Sequence, residues 1–75
     1  MNEQTYTVLL MQSTSHAIRA EQVLYRAGIL AKLIPVPRHL SSDCGVCIRI
    51  QRSDLVRAQG ALQAANVEIE AVHST

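Results

Sequence analysis

Residues 5–28 have the sequence "TYTVLLMQSTSHAIRAEQVLYRAG", and within this stretch the hydrophobic pattern changes from that of a strand to that of a helix. Residues 5–11 are β-branched and apolar, which predicts a strand, and the polar cluster that follows is typical of helix-capping residues. From His16 to Ala27 the spacing of apolar side chains becomes helical. The predicted buried stripe consists of Ala17, Ala20, Val23, Leu24 and Ala27. Gly28 then predicts a left-handed helix end.

The rest of the chain continues this alternation of strands and helices. Residues 29–36 predict a second strand, and Pro35 places it at a sheet edge or ends its pairing. Residues 45–51 alternate in polarity, so Cys47 falls on the face opposite to Ile48. Ser53 and Asp54 mark the start of a second helix that extends to Asn66. Residues 67–72 predict a last strand at a sheet edge.

This order of elements predicts an α+β fold, a ferredoxin-like βαββαβ sandwich in one domain over residues 1–75. Two helices then cover one face of a four-stranded antiparallel sheet. The first two strands run the same way, so we expect the loop after strand two to lie beside the start of helix one. We also expect Leu9, Met11 and Cys47 to form an apolar patch on the uncovered face, which points to a partner interface or a homodimer.

Composition narrows the class of protein. The 75 residues include no Trp and no Phe, so the core is made of small aliphatic side chains and self-association is expected. A net charge of +1 argues against nucleic acid as a partner. The N-terminal segment resembles neither an export signal nor a membrane span, so we expect a cytoplasmic protein without a membrane partner. In that compartment two cysteines are expected to be thiols, redox groups or metal ligands.

The loop "PVPRHLSSDCGVC", residues 35–47, holds both cysteines and both prolines. The predicted topology places Cys44 near the start of helix one, beside His16, Arg38 and His39. A helix N-terminus and nearby cations stabilise a thiolate, so we expect the pKa of Cys44 to lie below the free value of about 8.5.

Four small residues around this loop have simpler interpretations as well. Gly45 either allows a bound group to approach the backbone or permits the turn into strand three. Ser13, Thr14 and Ser15 are expected to cap helix one, with a secondary role in binding an anion.

The segments "STSHAIRAEQVL", "AGI" and "LIPVPRHLSSDCGVCIRI" resemble the small bacterial domains of the selenium/sulfur carrier protein-like family. The helix positions that match are Ala17 and Glu21. The loop positions that match are Pro35, Pro37, Arg38, Leu40, Ser41, Ser42, Cys44 and Gly45. Cys47 departs from the family's pattern, so the resemblance implies one essential cysteine. Such domains also occur fused to a TusA-like sulfur-carrier domain, which suggests persulfide or selenium handling.

The resemblance implies a carrier protein. A conventional enzyme is not expected, because the sequence has no phosphate-binding glycine loop and no paired carboxylates and is too short to enclose a substantial pocket, and no cofactor is expected. Cys44 would hold the sulfur or selenium, Arg38 and the N–H groups of helix one would stabilise the anion, and His16 or His39 would move a proton. Glu21, if it faces the loop, would form an ion pair with Arg38. The implied partners are proteins that donate and accept sulfur or selenium.

Two other hypotheses follow from the residues. Cys44, Cys47 and His39 are all plausible zinc ligands, although Cys47 belongs to a predicted strand and one CxxC pair supplies half of a tetrahedral site. Alternatively, the protein is a non-catalytic regulatory module that assembles through its open sheet face.

Overall fold

A four-stranded antiparallel sheet with strand order β2-β3-β1-β4 forms the base of the molecule. The computed structural model describes residues 5–40 and 45–74. The elements are β1 (Tyr6–Leu10), α1 (Thr14–Arg26), β2 (Ala31–Pro35), β3 (Val46–Gln51), a 3₁₀ turn (Arg52–Asp54), α2 (Leu55–Ala64) and β4 (Ala71–Ser74). This sheet and its two helices confirm the predicted ferredoxin-like α+β fold.

The ends of α1 follow the predicted local chemistry. Ser13 is extended, with φ −153°, and its Oγ accepts a hydrogen bond from the His16 N–H at 3.2 Å. This bond satisfies one of the backbone donors that the first helical turn leaves open. At the other end Gly28 has φ +78°, which confirms the predicted left-handed position. Ala27 occupies the C-cap and is exposed, so its predicted place in the buried stripe was wrong.

The main core lies between the helices and one face of the sheet. Its buried members are Leu9, Met11, Ala17, Ala20, Leu24, Ile29, Ile48, Ile50, Ala58, Leu62 and Val67. The prediction that Leu9 and Met11 lie on the open face was therefore wrong. Leu9 is paired with Ile48, which faces the helices, and paired residues share a face. Residues 8–11 are all apolar, so the sequence contains no alternation that assigns their faces.

The last strand, β4, begins at Ala71, whereas the sequence pattern predicted a strand over residues 67–72. Its pairing with β1 begins where β1 ends, because Ala71 lies opposite Leu10 and the Glu70 N–H donates to the Leu10 carbonyl at 2.8 Å. Residues 67–70 instead connect α2 to the sheet. The apolar side chains of this connection, Val67 and Ile69, pack into the main core, which explains their strand-like alternation.

The helix-free face of the sheet carries a second apolar cluster. Val8, Leu10 and Cys47 are buried there, at 0%, 4% and 0% exposure. The side chains packed against them are Ile34, Val36, Leu40 and Ala71. The predicted exposed patch of Leu9, Met11 and Cys47 is therefore absent: two of its residues lie on the other face, and Cys47 is covered.

Candidate functional site

The loop between β2 and β3 lies at the end of the sheet where β1 leads into α1. Cys47 near the start of β3 is flanked by Leu10 at the end of β1 and by Ile34 near the end of β2. This arrangement confirms the predicted topology, in which the loop and the start of α1 share one end of the sheet. Residues 41–44, which include Ser41, Ser42 and Cys44, lie outside the described residues.

The described parts of the loop are fixed by backbone hydrogen bonds. The Val36 N–H donates to the Gly45 carbonyl at 3.3 Å, and the Leu40 N–H donates to the Pro37 carbonyl at 2.9 Å. Gly45 is exposed, and a Cβ added to it would meet nothing within 4 Å. Residues 41–44 connect this turn to Gly45, the residue before β3. On one side of the segment Leu40 packs against the sheet, and on the other Gly45 is hydrogen-bonded to Val36.

Two hydrophobic residues of the loop pack onto the open face of the sheet. Val36 and Leu40 both contact the cluster of Val8, Leu10 and Cys47. Our sequence interpretation missed this role. Their spacing, on either side of the polar pair Arg38 and His39, was a usable signal for a turn with apolar anchors. The contacts position the loop against the sheet.

Arg38 and His39 occupy the turn between Pro37 and Leu40, and both are exposed. Neither makes a hydrogen bond or an ion pair with another described residue. Glu21 lies elsewhere: it lines a groove of about 500 Å³ with Tyr25 and Leu30, next to the start of β2. Residues 5–40 and 45–74 form one ion pair, in which Arg57 Nη1 lies 3.4 Å from Asp54 Oδ1. The expected ion pair between Glu21 and Arg38 is therefore not formed.

The start of α1 brings Ser13 and His16 together. Ser13 Oγ and His16 Nδ1 lie 2.6 Å apart, and Thr14 and Ser15 follow the cap in the exposed first turn. The ring of His16 also lines a groove of about 710 Å³ whose other walls come from the end of α2 and the connection to β4. These walls are Gln59, Gln63, Asn66, Val67, Glu68 and Ile69. His16 is thus held on the α2 side of the sheet end.

Cys47 is fully buried in β3, and its Sγ lies 4.0 Å from the Pro35 carbonyl oxygen. Burial on this face gives it the role of a small apolar side chain in the second cluster. Among the residues that the structure describes, no three His, Cys, Asp or Glu side chains come close enough to hold a metal ion. The apolar side chains packed around Cys47 also argue against this residue as a zinc ligand, because a zinc-bound thiolate needs other N, O or S ligands beside it.

A protein-family model described as "Putative Se/S carrier protein-like" matches residues 6–74. The chain belongs to this selenium/sulfur carrier-like family. The match extends from β1 to β4 and includes the whole loop between β2 and β3. No curated protein and no solved structure matches the chain.

Of the two cysteines in this member of the selenium/sulfur carrier-like family, the structure describes Cys47. Cys47 is enclosed by the sheet and the loop, whereas Cys44 belongs to the loop segment between Leu40 and Gly45. The resemblance that we found from the loop residues is confirmed by the family match. None of the helices in the described parts of the chain is long and apolar enough to cross a membrane.

Proposed function

We propose that the protein carries sulfur or selenium on the thiol of Cys44. Membership of the selenium/sulfur carrier-like family is the observation that supports this function. The burial of Cys47 supports the assignment to Cys44, because a fully enclosed thiol cannot meet a donor without an opening of the loop.

The proposed transfer is an exchange reaction without net oxidation. The Cys44 thiolate attacks the outer sulfur of a donor persulfide, R–S–SH, so that a new S–S bond forms and the donor leaves as R–S⁻. An acceptor thiolate then attacks the outer sulfur of Cys44–S–SH, and Cys44 leaves as a thiolate. A donor of the type R–S–SeH delivers selenium by the same steps.

The neighbouring residues have proposed roles in this exchange. Arg38 stabilises the anionic forms of Cys44, with support from the backbone N–H groups that Ser13, Thr14 and Ser15 present at the start of α1. Gly45 leaves space for the approaching donor beside the loop.

A histidine moves the proton in this proposal, and we assign this role to His39 rather than to His16. His39 lies in the same loop as Cys44 and makes no hydrogen bond to a described residue. His16 is within 2.6 Å of Ser13 and lines the groove beside α2. The partners are donor and acceptor proteins, and the proposed location is the cytoplasm, where thiols remain reduced.

Intact mass spectrometry tests the proposal directly. The purified protein is incubated with glutathione persulfide, and the mass is compared for the native sequence, Cys44→Ser and Cys47→Ala. We expect the mass of one sulfur atom to be added to the native protein and to Cys47→Ala, to be absent from Cys44→Ser, and to be removed by a reducing thiol. A sulfur atom retained by Cys44→Ser would show that the cargo is not held on Cys44.

Alkylation kinetics test the reactivity that a carrier needs. The rate of iodoacetamide labelling is measured against pH for Cys47→Ala, which retains Cys44, and for Cys44→Ser, which retains Cys47. We expect Cys44 to react faster than a free cysteine near neutral pH, and Cys47 to react much more slowly because it is buried. Equal rates for the two thiols would contradict the proposed carrier site.

A further inference from the structure

A row of basic side chains crosses the open face of the sheet. Lys32 on β2 lies opposite Arg49 on β3, Arg49 lies opposite Val8 on β1, and Val8 lies opposite His73 on β4. Residues paired in this way share one face of a sheet. Val8, which lies between Arg49 and His73 in this row, also belongs to the apolar cluster that supports the loop. Arg49 is two residues along β3 from Cys47, the cysteine of that cluster, a separation of about 7 Å.

Acidic side chains are missing from the strand residues that share this face. The described residues on it are Tyr6, Val8, Leu10, Lys32, Ile34, Cys47, Arg49, Gln51, Ala71 and His73. Lys32 and Arg49 are therefore like charges on directly opposite strand positions, an arrangement that destabilises a sheet. Asp54 and Arg57, which form the ion pair found among the described residues, lie in the 3₁₀ turn and in α2. This ion pair is therefore not on the open face of the sheet.

The position of Arg49 is fixed by an aromatic neighbour. Its guanidinium carbon lies 4.2 Å from the centre of the Tyr6 ring. A cation held over an aromatic face keeps its N–H groups available at the edges of the guanidinium plane. Arg49 is thus a preorganised donor on the face, with Lys32 beside it.

A groove of about 410 Å³ adjoins these two cations. Its walls include Tyr6, Leu30, Lys32, Arg49 and Gln51, and Leu30 is 77% exposed. The groove therefore combines positive charge with an exposed apolar side chain and an amide. This combination fits a polypeptide that carries carboxylates among apolar residues, because both kinds of side chain find a complementary partner.

We propose that the open sheet face around Lys32 and Arg49 binds an acidic segment of the partner protein that exchanges sulfur or selenium with Cys44. The identity of the partner rests on the proposed carrier function. Carboxylates of the segment neutralise the two facing cations, and the partner is held within one sheet length of the loop. Complementary charge of this kind speeds encounter and selects the partner.

A labelled deca-glutamate peptide is the probe for this surface. Its binding is measured by fluorescence anisotropy at low salt for the native protein, for Lys32→Gln/Arg49→Gln, and for Arg19→Gln/Arg26→Gln, which removes the same charge from α1. We expect the open-face variant to bind about tenfold more weakly and the α1 variant to bind within about twofold of the native protein. Equal losses in the two variants would show a net-charge effect and overturn the proposal.

Amide chemical shifts locate the peptide on the native protein. We expect shifts at Tyr6, Lys32, Arg49 and Gln51, whereas shifts confined to α1 and α2 would overturn the proposal. Inorganic phosphate that displaces the peptide at equal concentration would also overturn it, in favour of a small-anion site.

Sulfur loading of Cys44 from glutathione persulfide is measured in the same variants. Because this small donor needs no docking surface, we expect the loading of Cys44 to be unchanged in both variants. Failure of the docking proposal can therefore be distinguished from failure of the carrier proposal.

Discussion

Thr7 is a buried polar residue in the sheet. It lies in β1 on the face covered by the helices and is 1% exposed. Among the described residues its hydroxyl oxygen has no hydrogen-bond partner. A hydroxyl that is buried without a hydrogen-bond partner loses its hydration without compensation. Such burial lowers the free energy of unfolding.

We predict that Thr7→Val stabilises the protein by about 1 kcal/mol, because the methyl group replaces an unsatisfied hydroxyl of similar size. The free energy of unfolding is measured by urea denaturation. Thr5→Val, at an exposed position before β1, serves as the control and is expected to change stability by less than about 0.5 kcal/mol. A destabilised Thr7→Val variant would show that the hydroxyl has a partner in solution.

Two glycines give opposite tests at the level of the helices. Gly28 follows α1 with φ +78°, a conformation that L-residues with a Cβ rarely adopt. Gly60 lies within α2, and a Cβ added there would meet nothing within 4 Å. The first glycine is needed for its backbone conformation, whereas the second weakens the helix that contains it.

We predict that Gly28→Ala destabilises the protein by about 1 kcal/mol and that Gly60→Ala stabilises it by a similar amount. Thermal and urea unfolding of the two variants, compared with the native protein, measure both effects. The same side-chain change is made at each position, so the opposite signs depend on backbone conformation. Destabilisation by both substitutions would contradict this explanation and place a close neighbour beside Gly60.

At the scale of the whole molecule, the loop between β2 and β3 acts as a cover for the open sheet face. Val36 and Leu40 pack against Val8, Leu10 and Cys47, so the same loop that carries Cys44 shields the second thiol. This contact keeps the Cys47 thiol away from solvent and ties the position of the loop to the sheet. The buried thiol therefore reports whether the loop is closed.

We predict that Leu40→Ala, made in the Cys44→Ser background, increases the alkylation rate of Cys47 by about tenfold. The lost packing favours local opening of the loop, and about 1.4 kcal/mol corresponds to a factor of ten. Leu30→Ala is the matched control, because Leu30 is 77% exposed. Equal alkylation rates of Cys47 in the two variants, under conditions where each remains folded, would contradict the prediction.

The sequence by itself determined the order of elements and, from that order, the ferredoxin-like fold. It also determined the ends of α1, because capping residues and a left-handed glycine act locally. The loop motif was enough to indicate the family. Only the tertiary structure decided the faces of Leu9 and Met11, the start of β4 at Ala71 and the burial of Cys47. These features depend on strand register and on a loop folding back over the sheet. An uninterrupted apolar run such as residues 8–11 does not encode which side chains face the helices.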